Sequence, residues 1–202
     1  MTIRLLLADD QELVRSALCA LLELEDDFEV VASVGRGDEV VDAARSHQPD
    51  VALLDIEMPG LDGLAAAAVL NAQVPACQVV ILTTFGRAGY LRRAMEAGAA
   101  GFVVKDAPSE VLASAIRRVM TGQRVVDPAL AALTLAAGDS PLTARERDVL
   151  TVARSGATVA EIAAKLYLSE GTVRNYLSAA IAKTSARNRL EALRTADERG
   201  WL

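Results

Sequence analysis

From the N-terminus to about residue 122, short apolar runs alternate with stretches whose apolar positions recur every three or four residues. The runs cover residues 3–8, 28–34, 51–54, 79–82 and 101–104, each about the length of a buried strand. Residues 13–24, 40–46, 64–72, 90–97 and 111–120 carry helical spacing, and Gly98 and Gly122 stand where the last two of these helices should stop. Five strand–helix repeats predict an α/β fold, a doubly wound five-stranded parallel sheet with helices on both faces. In the common strand order 2-1-3-4-5, ligands gather at the carboxyl ends of the strands where the winding reverses.

From residue 121 to 140 the pattern fades into Ala, Gly, Asp, Ser and Pro around a short apolar stretch, 130–135, which reads as a linker containing some helix. After Pro141 the character becomes wholly helical. Thr143 to Glu146 and Thr158 to Glu161 are two S/T-x-x-E capping boxes, each opening an apolar-periodic run. Ser169 caps a third helix, and residues 188–199 form a fourth. The expected organisation is therefore a sheet domain over 1–121, a linker over 122–140, and a second, all-α four-helix domain over 141–202.

Charge sharpens this division. The net charge of −6 conceals 11 Lys and Arg against 20 Asp and Glu in residues 1–140, and 10 against 7 in residues 141–202. An acidic body suits metal or receptor contacts, and a mildly basic tail suits a polyanion. Cys19 and Cys77 stand 58 positions apart with no C-x-x-C pair, which reads as ordinary buried thiols in a reducing compartment. No apolar stretch approaches the ~20 residues of a bilayer span, so the expected location is the cytoplasm.

The candidate chemistry lies at the strand ends. Asp9 and Asp10 end the first predicted strand, Asp55 the third, Thr83 the fourth and Lys105 the fifth. Three converging carboxylates repel one another, and a hard cation such as Mg2+ relieves that repulsion while leaving positions open for phosphate oxygens. A carboxylate nucleophile, a cation site, a hydroxyl and an ammonium are the parts needed to accept a phosphoryl group.

The segments Asp9-Asp10, Asp55-Ile-Glu-Met-Pro-Gly-Leu-Asp-Gly63, Thr83 and Lys105-Asp106 resemble the flavodoxin-like receiver domain of bacterial two-component response regulators, over about residues 3–121. The resemblance implies that Asp55 is the phospho-acceptor. It also implies that Asp9, Asp10, Asp55 and the main-chain carbonyl of Glu57 hold Mg2+, that Thr83 binds the phosphoryl oxygens and that Lys105 pairs with them. Phe102 matches the family's aromatic switch position, coupled to Thr83. The sequence departs from the family where Asp106 follows the lysine, with proline only at Pro108.

In residues 173–181, Val173, Leu177 and Ile181 recur every four positions and predict a buried stripe, with Tyr176 and Ala180 beside it. The opposite face shows Arg174, Asn175 and Ser178, short or forked groups suited to base edges and phosphates in a major groove. The helix before it and the turn Tyr167-Leu-Ser169 complete a helix-turn-helix layout. Leu142 to Leu150, Glu161-Ile-Ala, Leu168-Ser, Thr172-Val-Arg and Asn188-Arg-Leu-Glu-Ala192 are similar to the LuxR-type C-terminal domain of the NarL/FixJ branch. By that resemblance Thr172, Arg174, Asn175 and Ser178 face DNA, Lys183 contacts the backbone, and the last helix joins two copies on DNA. The run 172–178 resembles regulators of membrane-lipid desaturation within this branch, whereas residues 183–187 depart from its usual Lys-Leu-Gly turn.

The implied partners are a sensor histidine kinase, promoter DNA, a second copy of the chain after phosphorylation, and RNA polymerase. The rival reading is an enzyme, namely a phosphatase with Asp55 as nucleophile or a nucleotide-binding oxidoreductase. The latter lacks the glycine-rich loop that should follow the first strand. Constitutive DNA binding is a third alternative.

Overall fold

The computed structural model describes residues 2–84, 88–128, 130–132 and 140–202. Of the expected helical stretch 130–135, residues 130–132 are helical and 133–135 lie outside the described residues. The chain divides into two compact units, one carrying the sheet and one the helices beyond residue 140, and the described residues 88–92 group with the second.

Over residues 3–126 the chain alternates β1 (Ile3–Ala8), α1 (Glu12–Leu22), β2 (Phe28–Val34), α2 (Val40–His47), β3 (Val51–Asp55), α3 (Gly63–Gln73), β4 (Gln78–Thr83), α4 (Ala88–Glu96), β5 (Gly101–Val104), α5 (Ser109–Met120) and β6 (Val125–Val126). All pairings are parallel, in the order β2-β1-β3-β4-β5-β6. The first five strands follow the predicted order. The sixth corrects the five-stranded expectation: Val125–Val126 pairs with Gly101 and Phe102, and the Val125 amide donates to the Ala100 carbonyl at 2.9 Å. Two residues are too few to show an alternation or an apolar run, so this strand is invisible to pattern reading.

The central strands read as continuous apolar runs because both their faces are covered. Leu5, Leu7, Val51, Leu53, Val80 and Leu82 point into a core closed by Leu18 and Leu22 of α1 and Leu112, Ile116 and Val119 of α5. Leu6, Ala52, Leu54 and Ile81 alternate with them and are equally buried. Burial pushes the Cys77 thiol up to about 12, with the Asp50 charge adding to it. Arg117 of α5 clamps the turn before β2, reaching Glu25 at 2.7 Å and Asp27 at 2.5 Å while its guanidinium lies over the Phe28 ring.

The second unit contains α6 (Ala144–Ala153), α7 (Val159–Leu166), α8 (Glu170–Lys183) and α9 (Arg189–Glu198). Both predicted capping boxes form, at Thr143/Glu146 and Thr158/Glu161. Val149, Leu150, Ile162, Val173, Leu177, Ala180, Ala192, Ala196 and Trp201 make one apolar core. Among the described residues no helix is long and apolar enough to cross a membrane.

Candidate functional site

Parallel strands deliver their carboxyl ends to one edge, and there Asp9, at the exit of β1, meets Asp55, the last residue of β3. Both are buried, while Asp10 is exposed. One oxygen from each of Asp9, Asp10 and Asp55 lies within 4.8 Å of the others. Lys105, just past β5, places its ammonium 2.6 Å from Asp9 Oδ2 and 3.0 Å from Asp55 Oδ1, with only 7% of its side chain exposed. Thr83, the buried last residue of β4, accepts the Lys105 amide on its carbonyl at 2.7 Å, which fixes the two strand ends against each other.

The cluster is held by its own backbone. The Gln11 amide donates to Asp9 Oδ1 at 3.0 Å, the Ile56 amide to Asp55 Oδ1 at 2.8 Å, and Arg15 of α1 to the Asp9 carbonyl at 2.6 Å. Burial raises the Asp55 carboxyl above the ordinary carboxylate value, and the Asp9 charge adds to this. Lys105 and the Ile56 amide pull in the opposite direction without cancelling it.

One ammonium faces three carboxylates, so a net charge of about −2 is left for a dication to balance. Among the described residues, Asp9 Oδ2 and Lys105 Nζ are buried without an aligned hydrogen bond, despite their ion contact. An under-satisfied set of hard oxygen donors fits Mg2+. Glu57 follows in the exposed turn after β3, and its neighbours Ile56 and Met58 are buried. Gly63 closes this turn by donating to the Ile56 carbonyl at 2.9 Å, and a Cβ there would stand 1.8 Å from the Asp55 carbonyl oxygen. Only glycine permits that approach. Phe102 is fully buried and pairs in register with Ile81 of β4.

In the second unit Ser169 caps α8, accepting the Thr172 amide at 3.1 Å and sharing a 2.8 Å hydroxyl contact with the Thr172 side chain. Tyr167 ends α7 in the left-handed region at φ 56°, which makes the sharp turn between the two helices. Val173, Leu177 and Ala180 are buried, Ile181 only partly, and Arg174, Asn175 and Ser178 are exposed together. Arg174 is held by Glu170 at 2.6 Å one turn earlier. Lys183, at the last turn, reaches the buried Glu146 of α6 at 2.8 Å.

Residues 5–117 match the response regulator receiver domain, and residues 140–196 match the bacterial regulatory proteins of the luxR family. The chain belongs to the NarL/FixJ-type response regulators. It is 46% identical over 199 residues to the transcriptional regulatory protein DesR of Bacillus subtilis, covering 98% of each chain. Among solved structures, the response regulator ChrA of a heme-sensing two-component system superposes at a TM-score of 0.60 with 33% identity, covering 100% of this chain and 99% of that one. The RcsB–DNA complex aligns at a TM-score of 0.71, covering 98% of this chain and 99% of that one, and at 22% identity it shows the fold alone.

This response regulator is therefore a transcription regulator with a LuxR-type DNA-binding domain. Its structure assigns contacts that residue patterns did not. Arg15 was legible only as a helix residue, although its place six positions after Asp9 allows it to fold back on that backbone. Glu146 was legible as a helix cap, and nothing in its spacing pointed to Lys183, 37 residues later.

Proposed function

We propose that this response regulator accepts a phosphoryl group on Asp55 from a sensor histidine kinase or a small phosphodonor, and that the modified receiver pairs and binds promoter DNA. The observation that carries the reading is the convergence of Asp9, Asp10 and Asp55 within 4.8 Å, with Lys105 already paired to two of them. Asp9, Asp10, Asp55 and the Glu57 carbonyl would hold Mg2+, which supplies countercharge and ligation for phosphoryl oxygens when bound. Asp55 presents its oxygen as the nucleophile, Lys105 stabilises the equatorial charge, and the Thr83 hydroxyl binds a phosphoryl oxygen. The added charge biases an element comprising Thr83 and the buried Phe102.

Exposed leucines along α1 support pairing. Leu13 near its start and Leu24 just beyond its end are 83% and 78% exposed, and Leu21 in its last turn is 45% exposed. Two joined chains would present two helix-turn-helix units to half-sites about one helical turn apart. Thr172, Arg174, Asn175 and Ser178 read the groove, Lys183 meets the phosphate backbone, and α9 joins the copies on DNA. The domain limits 1–121, 122–140 and 141–202, a cytoplasmic location and contact with RNA polymerase belong to the same reading. External substrates are not turned over; each Asp55 consumes one phosphodonor and loses the group slowly.

The test is a gel-shift titration of wild type and Asp55→Ala, with and without acetyl phosphate and Mg2+, alongside intact-mass measurement. One acid-labile phosphoryl group and tighter DNA binding in the wild type alone support the reading. Equal affinities would sink the switch, and sustained phosphate release from an external ester would favour the phosphatase.

A further inference from the structure

The two capping boxes of the DNA-binding unit provide an internal comparison. In the second box Glu161 is exposed and caps only, taking the Thr158 amide at 2.7 Å and the Thr158 hydroxyl at 2.9 Å. In the first, Glu146 is 4% exposed, and the oxygen that takes the Thr143 amide at 2.7 Å also takes the Lys183 ammonium at 2.8 Å. Capping needs no burial, as Glu161 demonstrates. Burying a carboxylate costs free energy unless a partner compensates, so the extra element at Glu146 is its grip on Lys183.

Lys183 stands at the last turn of α8, where the polar face carrying Arg174, Asn175 and Ser178 ends. Its side chain remains 37% exposed despite the ion pair. An ammonium has three hydrogens, and Glu146 engages one, which leaves two for an anion. A lysine stem is flexible, and anchoring one hydrogen removes rotamer freedom that binding would otherwise have to freeze.

We infer that Glu146 is a positioning residue for DNA binding, its buried carboxylate holding the Lys183 ammonium at the rim of the α8 polar face so that it meets a backbone phosphate. This deepens the DNA-binding reading and rests on it. Glu146 itself touches no DNA; it acts through Lys183.

The test is the salt dependence of binding by the full chain to a mixed-sequence duplex of about 25 base pairs, since phosphate contacts dominate such binding and no target sequence is needed. Fluorescence anisotropy on labelled duplex gives the slope of log affinity against log salt. Lys183→Met should make this slope shallower by about 0.9, the loss of one phosphate contact. Glu146→Gln should shift it in the same direction, and the double variant should be no shallower than Lys183→Met alone. Glu161→Gln, which loses only a cap, should keep the wild-type slope.

Far-ultraviolet circular dichroism and Trp201 emission establish that each variant is folded at the assay temperature. Glu146→Asp, which withdraws the carboxylate by one methylene, replaces Glu146→Gln if the latter does not fold. A folded Glu146 variant with a wild-type or steeper slope overturns the inference, as does an unchanged slope in Lys183→Met. A wild-type chain that fails to bind the duplex at low salt overturns the DNA-binding reading itself, which is a separate result.

Discussion

Replacing Lys105 with Met tests the electrostatics of the acidic site directly. The substitution keeps the length of the apolar stem and removes the one ammonium lying 2.6 Å from Asp9 and 3.0 Å from Asp55. At an effective dielectric constant of about 20, the two gross attractions are about 6 and about 5.5 kcal/mol. Desolvation of all three groups offsets much of this, and removing one partner of a buried pair costs about 3–5 kcal/mol. Taking about 3 kcal/mol, the melting point of a receiver of this size should fall by about 10 °C in the presence of a chelator. Saturating Mg2+ takes over part of the missing countercharge, so the variant should gain more from the ion than the wild type does. The assay is thermal melting by far-ultraviolet circular dichroism, in chelator and in Mg2+, with Trp201 emission reporting separately on the DNA-binding unit in whose core it packs. That second transition should not move. A variant as stable as wild type in chelator, or an equal Mg2+ shift in both proteins, would refute the account of Lys105 as the resident countercharge.

Three further outcomes follow from the geometry. Gly63→Ala should slow phosphoryl uptake from acetyl phosphate about a hundredfold by displacing the Asp55 backbone, because its Cβ would stand 1.8 Å from the Asp55 carbonyl oxygen; unchanged uptake kinetics would show that the turn yields freely. Ser185 holds a left-handed backbone at φ 54°. Relieving about 1–2 kcal/mol of strain there, against about 0.5 kcal/mol of added chain entropy, Ser185→Gly should stabilise the DNA-binding unit in urea titrations by about 0.5–1.5 kcal/mol. The double substitution Leu13→Asp, Leu24→Asp should weaken pairing of the phosphorylated chain at least about tenfold by sedimentation equilibrium, while leaving phosphorylation intact; undiminished pairing would place the contact elsewhere.

The receiver was legible because parallel strands covered on both faces cannot avoid being apolar throughout, and because its polar groups fall at the strand exits where such sheets place ligands. Legibility failed where the determining partner is distant in sequence or the element is too short. The α8 stripe shows a subtler limit. Val173 and Leu177 are buried as their spacing predicts, but the next buried position is Ala180 and not Ile181. At about 100° per residue, two steps of four carry a side chain about 80° off the stripe, whereas a step of seven returns it to within about 20°. Spacing of four alone therefore overruns the face it defines.

The two-residue strand β6 has a mechanical consequence. Phe102 and Val126 are partners in the ladder, so the point where the chain departs the sheet is bonded, rung to rung, to the strand bearing the fully buried aromatic. A displacement of that strand would therefore reach β6 through main-chain hydrogen bonds, without crossing any side-chain interface.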